Sequence, residues 1–282
     1  MHQTFNATAN PAQGPVRLAQ LREALHSQGL AGFIIPRADA HQGEYVAARD
    51  DRLQWLTGFT GSAGFCIVLP EVAGVFIDGR YRTQVKTQVD LAHFTPVNWP
   101  EVKPGPWITE HLAQGTVGFD PWLHTAEDIA AIEKALEDTG VTLCPTNNFV
   151  DKIWPDQPEA PLGQAFIHPD ALAGRTSTDK RETIAADLRK AGQTAMIITL
   201  PDSLCWLLNI RGADVPRNPI LHGFAILHDD ARLTLLAEPE KFDAETRTHL
   251  GPEVKIHPPT AFVPTLHTLQ GPVRVDRATA PL

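Results

Sequence analysis

At 282 residues the chain exceeds the ~100–200 residues of an ordinary single domain, so two domains are expected, each able to bury its own core. With 43% hydrophobic and 20% charged residues, and no apolar run near the ~18–20 residues of a bilayer span, the composition is that of an ordinary globular protein and excludes membrane insertion. A net charge of -9 argues against a nucleic-acid partner, because such binders concentrate Lys and Arg to displace counterions.

Taken from the start, MHQTFNATANPAQGP has neither a basic opening nor an apolar core, so residues 1–14 read as a disordered tail and not a signal peptide. A helix over Leu18 to Gln28 places Leu18, Leu21 and Leu25 on one face and stops at Gly29, a residue suited to the left-handed conformation that ends helices. The short run AGFIIP (31–36), bounded by Gly32 and Pro36, fits a buried strand. LQWLTGFTGSAG (53–64) follows, and within it TGFTGSAG (57–64) reads as a tight hairpin-like passage in which backbone closely approaches backbone or a neighbouring domain. FCIVL (65–69) and GVFID (74–78) are strands across the turn PEVA, Asp78 to Arg80 form the next turn, and Val85 and Val89 predict a helix over Tyr81 to Val89. GTVGFD (115–120) reads as a strand. Thr125 and Asp128 make a capping box for a helix carrying Ile129, Ile132 and Leu136, closed by Gly140. After the strand VTLCP, Pro155, Pro158, Pro161 and Pro169 punctuate a stretch without periodicity, which sets the boundary near 160 between domains 15–160 and 161–282.

The second half opens with Asp179 and Glu182 framing a helix start, with Ile184, Leu188 and Ala191 as its buried face. Strands TAMIIT (194–199), GFAILH (223–228) and ARLTLLAE (231–238), a helix near 240–250, and strands KIHP (255–258) and PVRVD (272–276) follow. The halves repeat each other: Trp55 answers to Trp206, and Gly58 and Gly61 fall near Ile210 and Gly212. Such a duplication predicts an α/β fold of two tandem domains, each a mixed central sheet flanked by helices. Only RATAPL follows the last strand, so a longer parent chain is expected.

TGFTGSAG lacks the helix N-terminus that a phosphate loop needs, because a strand follows it. Among 12 histidines there is no HExxH, and no CxxC occurs, so no metal ligands are assigned. His41 and Glu44 in DAHQGEY read by themselves as a polar surface turn, and Ser62 has no base partner by motif. Cys66, Cys144 and Cys205 are odd in number, widely spaced and set among apolar neighbours, as buried small hydrophobes in a reducing compartment would be; the cytoplasm is the expected location. The suggestive residues are Arg80 in its turn and Arg211 in WLLNIRGADV, with Asn209, Asp214, Arg217 and Asn218 nearby. A guanidinium at a strand end can fork onto a carboxylate or peptide group, which suits substrate recognition; an interdomain salt bridge stays open as the alternative.

PRADAHQGEYVAARDDRLQWLTGFTGSAGFCIVL, IDGRY and SLCWLLNIRGADVPRNPILHGFAIL, in that order, resemble the N-terminal half of the long cytosolic Xaa-Pro aminopeptidases of the creatinase and prolidase family, from about residue 15 to the end. The resemblance implies two creatinase-type N-terminal domains ahead of a "pita-bread" catalytic domain. That domain would hold two metal ions, usually manganese, through two Asp, one His and two Glu, and a bridging water would attack the bond before proline. The region carrying those ligands lies outside this chain, so no catalytic residue, metal ligand or bound cofactor is expected here. Carried over are Arg80, which in the family reaches the cleft and helps bind peptide, and, lining or bracing that cleft, His41, Glu44, Asn209, Arg211 and Asp214. The implied partners are a proline-containing peptide and a second copy of the chain, met through the first domain. The alternative is a stand-alone peptide- or protein-binding module without peptidase activity. Prolidase and creatinase themselves fit less well because they have one N-terminal domain.

Overall fold

The computed structural model of the chain describes residues 9–282, and its first helix, α1 (Gly14–Ser27), buries Leu18, Leu21 and Leu25 as the periodicity predicts. A 3-10 turn at Pro11–Gln13 precedes it, so the expected tail is already regular structure by Pro11; residues 1–8 lie outside the described residues. The chain forms two units, one running up to Asp39 and over 48–159 with Leu282, the other comprising 40–47 and 160–281.

The first unit continues with β1 (Gly32–Pro36), α2 (Arg52–Thr57), β2 (Gly64–Val68), β3 (Ala73–Ile77), α3 (Val85–Gln88), β4 (Thr95–Asn98), α4 (Pro104–His111), β5 (Gln114–Phe119), α5 (Ala126–Leu136), β6 (Gly140–Pro145) and α6 (Phe149–Ile153). Its six strands take the order β4-β3-β2-β1-β5-β6. The pairs β1–β2 and β2–β3 are antiparallel and the others parallel. Successive strand residues point to opposite faces, and both faces are covered. Phe33, Ile35, Cys66, Val68, Val75 and Ile77 meet residues of α1, α2 and α6 on one side. Ile34, Ile67, Phe76, Val117 and Phe119 meet α4 and α5 on the other. That two-sided burial is why these strands read as unbroken apolar runs, and a fully buried ring such as Phe33 contributes enough that Phe33→Ala costs ~3–5 kcal/mol.

The second unit contains β7 (Phe166–Ile167), α7 (Asp170–Ala173), α8 (Ser177–Lys190), β8 (Ala195–Ile198), α9 (Pro201–Leu208), β9 (Ile210–Arg211), β10 (Phe224–His228), β11 (Leu233–Leu236), α10 (Ala244–Leu250), β12 (Val254–His257), α11 (Phe262–Leu266) and β13 (Val273–Arg274). Its main sheet runs β12-β11-β10-β8-β13, and β7 pairs separately with β9. Antiparallel β8–β10 and β10–β11, then parallel β11–β12 and β8–β13, reproduce the directions of β1–β2, β2–β3, β3–β4 and β1–β5. The sequence duplication is therefore a duplicated topology, and both units are mixed sheets flanked by helices.

Local details differ from the sequence reading for identifiable reasons. The passage at 53–64 opens as helix α2, which Gly58 closes in the left-handed conformation. Only Val85–Gln88 of the helix expected over Tyr81 to Val89 is α-helical, because the Asp78 side chain turns Gly79–Tyr81 into a 3-10 turn first. Helix α8 starts one turn earlier than expected: Thr176 is its cap and accepts from the Asp179 N–H. Gly140 begins β6, and α5 has already ended at Leu136.

Candidate functional site

Arg80 stands just beyond β3, on a turn built by Asp78. The Asp78 carboxylate accepts from the Arg80 backbone N–H (2.9 Å) and holds the side chain through Nε (3.0 Å) and a terminal nitrogen (2.6 Å). These bonds to Arg80 hold the Asp78 carboxyl below its usual range. The guanidinium lies 5.1 Å over the Tyr81 ring, yet its side chain is 61% exposed. Tyr81 is fixed in turn: its hydroxyl is 2.7 Å from Ser62 Oγ, and Phe59 meets its ring edge-on at 5.5 Å. Thr60 N–H donates to Gln88 Oε1, and Gln84 and Gln88 both donate to the Thr60 hydroxyl. The glycine-rich passage and the DGRY turn are thus one locked platform. Gly58 lets them close: its φ is +87°, and a Cβ there would lie 2.3 Å from the Gln88 carbonyl oxygen.

DAHQGEY departs from the surface turn it resembles. Residues 40–47 belong to the second unit, and His41 is buried there, although Glu44 remains exposed. His41 Nδ1 is 3.2 Å from the Thr199 carbonyl, and its ring lies 4.8 Å from His222 and 4.5 Å from Phe224. The His222 N–H donates to Asp214 Oδ2 (2.6 Å), which also accepts from Lys241 Nζ (2.9 Å), while Asp214 Oδ1 accepts from the Gly163 N–H (3.0 Å). Burial pushes the His222 imidazole down to about 4, with Lys241 reinforcing and Asp214 opposing, so it is neutral at pH 7.

Asn209 closes α9 in the left-handed conformation, the position Gly58 holds in α2. Its Oδ1 accepts from Lys180 Nζ (2.6 Å), and its Nδ2 donates to Asp170 Oδ1 and the Arg175 carbonyl, each at 2.7 Å. Half-buried Arg211 pairs in register with Phe166 across β7–β9 and donates to the Ile210 carbonyl.

Of the six residues singled out from sequence, Arg80 and Glu44 are thus exposed, Arg211 is half-buried, and His41, Asn209 and Asp214 are buried. His41 and Asp214 meet through His222; Asn209 belongs to a separate hub around Lys180. Arg80 belongs to the first unit, the other five to the second. Lys180, His222 and Lys241, which knit these clusters, carry no motif; the readable signal was Lys180 standing four residues into its helix, as Arg17 does in the first copy.

Cys66 and Cys205 are buried, which raises both thiols, Cys205 to about 11; Cys144 is half-exposed, because its strand β6 lies at the sheet edge. Among the described residues no group of three or more His, Cys, Asp or Glu could hold a metal ion, so the two-manganese ligand set fits no residues here. No helix among the described residues is long and apolar enough to cross a membrane.

Two family models, both describing the Creatinase/Prolidase N-terminal domain, match residues 17–153 and 156–282. The chain is 34% identical over 280 residues to a probable Xaa-Pro aminopeptidase P of Coccidioides posadasii, covering 95% of this chain and 42% of that protein. It is 35% identical over 253 residues to the probable Xaa-Pro aminopeptidase P of Neosartorya fischeri, covering 86% and 38%. Among solved structures it is similar to the X-prolyl aminopeptidase of Caenorhabditis elegans, a cytosolic enzyme with a di-nuclear active site, at 28% identity and a TM-score of 0.85 over 93% of this chain and 46% of that one. The chain therefore spans less than half the length of these relatives. With both units matched in turn, the chain belongs to the creatinase/prolidase family as two consecutive N-terminal domains of that family.

Proposed function

We propose that this chain is the N-terminal, non-catalytic portion of a metal-dependent Xaa-Pro aminopeptidase that removes the first residue from peptides with proline second. The observation that supports this most is the likeness to the Caenorhabditis elegans enzyme over 93% of this chain at a TM-score of 0.85. Hydrolysis before proline needs a metal-bound hydroxide and a positive charge to polarise the carbonyl. Both are assigned to a catalytic portion beyond Leu282, with two manganese ions. This portion supplies walls that select peptide ends. Arg80, held by Asp78, is the group that meets peptide oxygens, with Glu44 and Arg211 as further polar contacts. His41, Asn209 and Asp214 act as braces, since their side chains are buried within the second unit. The protein is placed in the cytosol as a homodimer formed through its first unit.

Reading the coding sequence beyond Leu282 tests this. Two Asp, one His and two Glu in a pita-bread arrangement support the peptidase; their absence favours the stand-alone binding module.

A further inference from the structure

In the first unit the tryptophan of the repeated motif is held on two sides. Arg17 of α1 donates to the Trp55 carbonyl and lies 4.3 Å over its ring. Trp154, following α6, stacks on Trp55 at 5.1 Å and 17°. The second unit repeats half of this device: Lys180 of α8 donates to the Trp206 carbonyl (2.8 Å) and lies 4.4 Å over the indole. Among the described residues no ring stacks on it from the other side, and Trp206 is 50% exposed.

The topology says where the cover comes from in the first unit. The chain leaves β5, forms α5 and β6 at the sheet edge, and delivers Trp154 behind α6. Strand β13 pairs with β8 as β5 pairs with β1, and among the described residues no counterpart of α5, β6 and α6 follows it. Two more exposed apolar side chains, Phe166 (49%) and Leu172 (74%), stand on elements tied to the same helix end. His168 N–H donates to the Asn209 carbonyl, and the Asn209 amide donates to Asp170 of α7.

We infer that Trp206 is a docking surface for a segment of the parent chain that follows Leu282 and lays an aromatic or similarly flat apolar side chain on the open indole. This rests on the reading of the chain as one portion of a longer peptidase. The occupant is the chain's own continuation because the equivalent stretch of the first unit performs that task for Trp55. A stacked partner also removes from water a large apolar surface that a cation already polarises from one side.

Oxidative footprinting of tryptophans, read by mass spectrometry on the 282-residue chain and on the parent protein, tests the inference. The oxidation rate of Trp206 is expected to fall several-fold in the parent, toward the rate of the stacked Trp154, which stays the same in both. An unchanged Trp206 rate overturns the inference, and so does protection that disappears on dilution, which marks a second copy as the occupant. Turnover of an Xaa-Pro peptide is measured on the same parent sample. Turnover with an unprotected Trp206 refutes the docking alone; protection without turnover supports the docking and refutes only the peptidase reading.

Discussion

Lys180 reaches from the first turn of α8 to the last turn of α9, where its ammonium donates to the Trp206 carbonyl (2.8 Å) and lies 4.4 Å over the same residue's indole. Arg17 makes both contacts to Trp55. A cation there donates to a carbonyl in the last turn of the helix, and it fixes a ring at the same time. Lys180 does more, because it also donates to Asn209 Oδ1 (2.6 Å).

That extra bond sets an order of importance. Lys180→Met removes two charge-assisted hydrogen bonds in a buried setting and should destabilise the second unit by about 2–3 kcal/mol. Arg17→Met, on the half-exposed counterpart, should cost about 1 kcal/mol. Urea unfolding of the two variants, followed by tryptophan fluorescence, measures the difference.

The Asp214–Lys241 pair is almost wholly buried, with side chains 0% and 4% exposed. Asp214→Ala strands a buried ammonium and two backbone N–H groups, an expected loss of ~3–5 kcal/mol. Asp214→Leu with Lys241→Met removes both charges and should recover a large part of it in the same unfolding measurement.

Burial holds His124 and His222 down to about 4, against an ordinary value of 6.5. The unfolded chain therefore takes up protons between these values that the folded chain refuses. Stability contributed by the neutral rings is present above pH 6.5 and is lost as the pH falls toward 4. Between pH 7 and pH 5 each ring should cost ~2 kcal/mol. Unfolding free energies of the native chain and of His124→Gln and His222→Gln at the two pH values check this, each variant showing a shallower loss.

Arg80 pairs with Asp78 within its own turn and its side chain is 61% exposed, so Arg80→Ala should leave stability nearly unchanged. In the parent protein, under the proposed peptidase role, the same change should raise KM or lower kcat/KM by the ~1.5–3 kcal/mol of a charged hydrogen bond. Steady-state kinetics with an Xaa-Pro peptide separates the two effects.

What could be read from sequence followed from where each signal resides. The stripe Leu18, Leu21, Leu25 and the two-faced run Phe33, Ile34, Ile35 are local patterns; the strand formed where expected, and the helix buries the expected face but starts one turn earlier, at Gly14. The Thr125–Asp128 box is local too, and the Asp128 N–H does bond the Thr125 hydroxyl. Gly58 and Asn209 share one structural position, but two different residue types tolerate the left-handed cap, so the sequence comparison set Gly58 beside Ile210 instead. His41 looked like a surface residue because its burial comes from Thr199, His222 and Phe224, all remote in the chain. Lys241 meets Asp214 across 27 residues, a separation over which no periodicity speaks.

The decisive measurement is release of the first residue from an Xaa-Pro peptide, with added manganese, by the pure 282-residue chain beside its parent protein. Turnover by the parent and none by the chain alone is the expected result. Turnover by the 282-residue chain, or a parent with no Xaa-Pro activity, would contradict it.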